Sequence, residues 1–546
     1  MPIPASPNES ESRSEVRGHS HLSPEHRDFL LKRHRTVELD PLPSLDPSDP
    51  LNWPSWKKNI NLAILACQTW LTLFNAAGPV AGILIISKDL NVSITKSTYI
   101  LGIQALFLGV SPLFWNPIAE RFGRRPIWLL SALGGTVFNI GCALAKSYGV
   151  LMTMRLFAAV FLSPTLSMGG GVVMETFFAR QRGRKLGVWT LAYTLGAPFG
   201  PFVLGFVVQN TNSWQWMFWT CAIMSGASLP AIAVFCPETL YNRAESVASH
   251  VEPKSAIRTQ YLSLGRINPK PFDLREIYEP YVMLQNLCIL LPAIGCAMVF
   301  CTATIAMSIG IPQAYGQKFH LGPQATGLNY LAIVIGALLG EQIGGPFGDF
   351  LVNLRAKRSG GRRVPEYRIW SSYLGFLSVI AGLLQWGITL QNSPVGPWTV
   401  IPDIGLGIAS FGGQIISTVL MTYAIDCYPH KASVVANAIN QVRQIWAFIG
   451  PFWFTPMYES IGYAYAGVLM AGLVLIFGLC PMLLCHLFGG KFRSGSEGFS
   501  EYPVVYDVED HTIETQSKIN PLTLSTEAFG ISEHKEVAVS DSSARE

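Results

Sequence analysis

Apolar runs long enough to cross a bilayer recur about twelve times along this 546-residue sequence, and no other feature restricts its fold as sharply. A segment in hydrocarbon must satisfy its own backbone hydrogen bonds, so a helix of ~20 residues is the natural reading of each run. A first set covers 60–86, 99–119, 127–145, 150–173, 186–208 and 216–235, and a second covers 284–309, 328–350, 369–390, 398–425, 433–454 and 463–487. The pattern predicts an all-α integral membrane protein of about twelve transmembrane helices in two six-helix pseudo-repeats. Its expected parts are a disordered cytoplasmic tail over 1–58, a first bundle over 59–238, a cytoplasmic linker over 239–281, a second bundle over 282–490 and a disordered tail over 491–546.

Composition agrees, with 49% hydrophobic and 14% charged residues, against about a quarter charged in soluble domains. Many of the 50 glycines and 36 prolines sit inside the apolar runs, where neighbouring helices re-satisfy a broken backbone. The net charge of +4 comes from cations lying between the runs, not along one stripe, so no nucleic-acid surface is expected. Placed with the N-terminus inside, the inner loops hold Arg121, Arg124, Arg125, Arg182, Arg355, Lys357, Arg358, Arg362, Arg363 and Arg368, while the outer loops hold Lys88, Lys96, Lys146 and Lys318. That asymmetry predicts both termini in the cytoplasm. The first residues lack the basic patch and apolar core of a signal peptide, so the first apolar helix is expected to direct insertion. Asn91-Val92-Ser93 on the first outer loop is a glycosylation candidate at Asn91.

The chain carries no phosphate-binding GxxxxGK[ST] loop, no GxSxG elbow, no HExxH pair and no CxxC. An enzyme, an ATP-driven pump of the P-loop kind, a metal site and a cofactor are therefore not expected, and a gradient must supply the energy.

The loop after the second run reads Asn116-Pro-Ile-Ala-Glu120-Arg121-Phe-Gly123-Arg124-Arg125, and the loop after the eighth reads Gly345-Pro-Phe-Gly-Asp349 followed by cations. The ends of the fourth and tenth runs correspond too, with Glu175 in one and Asp426 in the other. The first loop resembles the signature loop of the major facilitator superfamily, with Asn116 and Glu120 where the usual pattern has Gly and Asp. The resemblance covers about Leu45 to Leu487, and the stretch Leu45 to Lys58, with Trp53 and Trp56 beside Lys57 and Lys58, is similar to the lead-in of fungal drug/proton antiporter-like members. It implies that Glu175 and Arg182 form a gate pair, assisted by Glu238; ordinary anchors at helix ends that set topology are the alternative. Gly187, Gly196, Gly200, Pro201 and Gly205 in the fifth run are spaced like the motif of the antiporter branch, with Leu204 departing from it. Plain helix packing is the alternative for that stripe. The resemblance further implies a monomer in a fungal plasma membrane, with the vacuolar membrane as second address. Its partners would be protons and a small organic solute: drugs, toxins or secondary metabolites for an efflux antiporter, or organic cations, polyamines or nutrients for an importing symporter.

An ionisable residue deep in a span costs about 3 kcal/mol on insertion scales, which makes it a functional candidate. Glu341, Arg155 and Arg443 qualify, and they are the candidates for proton coupling. Arg155 matches the fourth-span arginine of many drug/proton antiporters. For Glu341 the alternative is pairing with an Arg or hydroxyl of a neighbouring helix. Asn437, Asn440, Gln441 and Gln444 repeat at helical spacing. Asn440 and Gln444, with Gln68, Asn75, Tyr193, Asn329, Tyr330 and Gln414, are the candidates for a polar, aromatic-lined pocket, interhelical contact being the alternative for each.

Overall fold

The computed structural model describes residues 24–36, 39, 41–46, 48–241, 261, 267, 271–358, 364–428 and 431–494. The outer parts of both tails, most of the linker, and Arg362 and Arg363 lie outside these residues.

Among the described residues, eleven helical stretches are long and apolar enough to cross a bilayer. Spans 1 to 6 are Ser55–Asp89, the pair Ile94–Val110 and Pro112–Phe122 bent by 40°, Arg124–Ala143, Tyr148–Thr176, Arg184–Thr211 and Gln215–Phe235. Spans 7 to 10 are Leu287–Lys318, Pro323–Arg355, Pro365–Asn392 and Ile401–Cys427. The last stretch, Ala432–Phe492, is 61 residues long and contains Gly462 at φ 75 and ψ 170. Only glycine takes that backbone without strain, and it turns the chain between span 11 (432–461) and span 12 (463–492), giving twelve.

The first half closes through spans 1 and 5, 1 and 6, 3 and 6, and 3 and 4, and the second through 8 and 10, 9 and 10, 7 and 11, and 9 and 12. The halves meet along span 2 against span 11 and span 5 against span 8. The span 5 glycines divide between these tasks. A Cβ on Gly196 would fall 2.5 Å from the Trp70 carbonyl, and one on Gly200 2.6 Å from that of Phe74, so both seat span 5 on span 1. A Cβ on Gly205 would fall 2.6 Å from the Pro323 carbonyl, and the Pro201 carbonyl borders Gly327, so this part of the stripe joins the halves. Gly187 has nothing within 4 Å.

With an even number of spans, both ends of the bundle lie on one face, called here the terminal face. Part of the N-terminal segment is ordered there, unlike the disorder expected for 1–58. Helix Pro24–His34 buries Leu30 completely, and Arg33 donates to the Asn52 carbonyl at 2.8 Å. Asp49 caps the turn Pro50–Asn52, while Lys58 donates to the Leu51 carbonyl at 2.8 Å. Three apolar anchors, Leu30, Leu51 and Trp53, are all at most 5% exposed. They supply the burial that the mean composition of the segment conceals.

His34 ties this segment down, with Nε2 3.0 Å from Asn52 Oδ1 and its ring edge-on to Phe178. Burial holds its imidazole below the ordinary 6.5, outweighing the Asn52 contact, which acts the other way. A depressed histidine favours the docked state while neutral, so its contribution is complete above the ordinary value and lost as pH falls through the depressed one. The protection factors of the backbone amides over 25–34, corrected for the intrinsic exchange rate at each pH, should therefore fall on acidification below 6.5. His34→Gln should flatten that dependence; an unchanged pH profile in the variant would remove His34 as its source.

Candidate functional site

Two clusters of ions lie on the terminal face, one in each half. Gly123, at φ +97, makes the corner between spans 2 and 3, and a Cβ there would strike Glu238 Oε2 at 2.4 Å. Glu238 uses that proximity to accept from the backbone N–H groups of Arg124 at 2.9 Å and Arg125 at 3.0 Å. A carboxylate over the first amides of span 3 satisfies orphan donors and complements the helix dipole. Arg124 Nη2 then donates to Glu175 Oε1 at 2.6 Å, and Arg125 donates to the carbonyls of Cys236, Ala233 and Tyr261. Arg121 meets Glu276 of the linker helix Arg275–Met283 through two bonds of 2.8 and 2.9 Å. Glu120 is exposed, and Asn116 accepts from Ser167 of span 4 at 2.7 Å.

The expected partner of Glu175 was Arg182, but Arg124 holds it. Arg182 caps the end of span 4 by donating to the carbonyls of Phe177 at 3.0 Å and Met174 at 2.9 Å. In the second half, Arg368 at the start of span 9 donates to Asp349 at 2.7 Å and to Asp426 at 3.0 Å. Arg368 thus occupies in span 9 the place Arg124 has in span 3, and the two acids with corresponding positions in the sequence converge on it. Sequence reasoning gave both acids a gating role but took Arg368 only as an inner-loop cation; its position at the start of a span was the available signal.

Deeper in the protein, among the described residues, most of the polar candidates fall into two separate groups. One lies inside the first half. Arg155, fully buried, donates to Asn75 Oδ1 at 2.9 Å and to the carbonyls of Asn75 and Ala76. Gln104 donates to the same Oδ1 at 2.9 Å, and Asn75 Nδ2 donates to Asn139 at 2.7 Å. Spans 1 to 4 are joined at this one carboxamide. Gln68, one of the pocket candidates, is completely buried, and its side chain has no hydrogen-bond partner. Asn75 therefore faces the interior of the first half, and Gln68 stands seven residues before it, on the same face of span 1.

The other group lies between the halves. Glu341, on span 8, accepts at Oε2 from Gln414 at 2.6 Å and from Thr418 at 2.9 Å, both on span 10. Gln414 also donates to Thr194 of span 5 at 3.1 Å, crossing to the first half. The neighbouring Tyr193 takes a hydrogen bond from Arg443 of span 11 and lies 3.4 Å from Asn440 Oδ1, to which Arg443 Nη2 donates at 2.8 Å. Consecutive residues of span 5 thus meet the cation directly, at Tyr193, and the acid through Gln414, at Thr194. Gln444 packs where spans 2 and 11 meet: a Cβ on Gly109 would fall 2.5 Å from its Cβ. Asn329 and Tyr330 lie elsewhere, Asn329 donating within its own helix and Tyr330 to the Ser308 carbonyl of span 7 at 2.6 Å.

Thr194, Thr418 and Phe300 were missed in the sequence. Phe300, 4.8 Å from the Arg443 guanidinium, begins the π-helical turn Phe300–Ala306, and a second such turn, Ile343–Phe347, follows Glu341. π-turns re-aim side chains and gather at functional sites, but no residue pattern announces them. Asn91 is exposed on the other face, at φ 53.

The sequence pattern of the Major Facilitator Superfamily matches residues 64–451. A probable efflux pump, mfs2, of Aspergillus flavus is 31% identical over 420 residues, covering 74% of this chain and 96% of that protein. The efflux pump radE of Floropilus chiversii is 27% identical, covering 82% and 83% respectively. Among solved structures, a crystal structure of a POT peptide transporter superposes with a TM-score of 0.56 at 15% identity, over 80% of this chain and 96% of that one. That last likeness concerns the fold alone.

Proposed function

Since this chain belongs to the major facilitator superfamily and is a multi-pass membrane transporter, not an enzyme, we propose that it is a proton-coupled antiporter. It exports small organic compounds by alternating access. The observation that carries this reading is the position of Glu341. A carboxylate in the membrane is expensive, and this one is held by neutral donors at the contact between spans 5, 8 and 10, where a rocking motion of the halves changes its surroundings. Loading and unloading a proton there biases the equilibrium between the two orientations. Export is favoured by the names of the two fungal relatives, and by the packing of Gly205 and Pro201 of the antiporter-type stripe against span 8. The terminal face is cytoplasmic by the distribution of loop cations, and the membrane is the plasma membrane. The chain acts as a monomer.

The test is a pH jump across reconstituted vesicles of known orientation, recording solute and proton flux together. Opposite movement of solute and protons is expected. Movement in the same direction would establish the importing symporter instead, and solute flux indifferent to pH would remove proton coupling.

A further inference from the structure

Arg443 is 8% exposed, and its Nε has no hydrogen-bond partner. Its guanidinium lies 5.2 Å from the Tyr193 ring and 4.8 Å from the Phe300 ring. Both hydrogen bonds it makes go to neutral oxygens, those of Tyr193 and Asn440, and both leave from Nη2. Among the described residues, no carboxylate forms an ion pair with it. Glu341 turns its oxygen to Gln414 and Thr418.

The other intramembrane arginine shows what a structural role requires. Arg155 is fully enclosed, and three oxygens on span 1 take its N–H groups. Both arginines leave Nε unpartnered and both lie beside an aromatic ring, Phe218 at 5.5 Å in the case of Arg155. The difference is that Arg155 engages two nitrogens within its own half, whereas Arg443 engages Nη2 alone, at the contact between the halves. A desolvated cation without a counter-charge is costly, and a planar guanidinium matches a carboxylate through two parallel N–H donors. Tyr193, with Trp189 at 5.9 Å from it, and Phe300 supply flat apolar surface beside that charge.

We propose that Arg443 anchors an anionic group on the solute, and that the chain's substrates are therefore aromatic organic acids rather than lipophilic cations. This deepens the transporter reading and rests on it for the word substrate, but not for the binding event.

The test is equilibrium binding, with no gradient, to the purified full-length protein in lipid nanodiscs. The probes are naphthoate, its methyl ester and the corresponding naphthylmethylamine, which share a ring system and differ in charge. The acid is expected to bind about tenfold or more tightly than the ester, the usual difference when a hydrogen bond gains a charged partner, and the amine more weakly still. Arg443→Gln should abolish the preference while leaving ester affinity in place, and Arg443→Lys, which keeps the charge but not the planar fork, should retain only part of it. If Arg443→Gln fails to fold, Arg443→Met decides: preference lost supports the site, preference kept overturns it. Ester or amine binding as tight as the acid, no acid binding at all, or an acid preference surviving in Arg443→Gln would each overturn the proposal. None of these results depends on proton coupling or direction, so failure of the antiport reading registers separately, in the vesicle flux.

Discussion

Glu341→Gln should leave a folded protein that no longer converts a pH gradient into transport. Gln414 and Thr418 both donate to one carboxylate oxygen, Oε2, and the amide oxygen of glutamine can take both bonds in the same place. Packing between spans 8 and 10 is then retained, and the property removed is the capacity to bind and release a proton. The measurement is paired. Uptake driven by a pH gradient should fall to the level of empty vesicles, while solute counterflow with no gradient should persist at wild-type surface density. If Glu341 only joins helices, the glutamine variant will respond to pH as the wild type does. That outcome would move coupling elsewhere in the protein.

What the sequence disclosed, and what it concealed, divides along the reach of each signal. The twelve apolar runs were legible because bilayer thickness acts on each segment by itself, so a local count suffices. The signature loop was legible in kind, though its partners were not. Glu175 and Arg182, seven residues apart, belong to one face only if the helix continues, but the chain leaves the helix at Phe177, with φ −119 and ψ 145. That break turns Arg182 back onto carbonyls and leaves Glu175 to Arg124. Helical periodicity likewise identified Gln68 and Asn75 as polar positions of span 1 without showing which neighbours they meet. The structure ties Asn75 to spans 2, 3 and 4 of the first half and buries Gln68 without a partner, whereas Tyr193, Gln414 and Asn440 lie between the halves. Order in residues 24–34 was hidden because mean composition is a poor guide when a few anchors, Leu30 among them, account for the burial.

The inward-facing position of those two amides of span 1 sets up the other large effect, and the pair supplies its own control. Asn75 and Gln68 stand seven residues apart on one face and are 1% and 0% exposed, so a generic cost of altering a buried amide would be equal at both. Their surroundings are opposite. Asn75→Leu strands Arg155 without its Oδ1 acceptor and removes the partners of Gln104 and Asn139. Leaving buried polar groups unsatisfied in this way costs about 1–3 kcal/mol for each group. Gln68 has no side-chain partner to lose, and replacing a buried, unbonded amide with an apolar group of similar size is neutral or stabilising. Thermal unfolding in lipid nanodiscs should show a large fall in midpoint for Asn75→Leu, and none, or a rise, for Gln68→Leu. Equal losses at the two positions would mean that Asn75 is not the hub of the first half. A large loss at Gln68 alone would place a bound partner, such as an ordered water, at its amide.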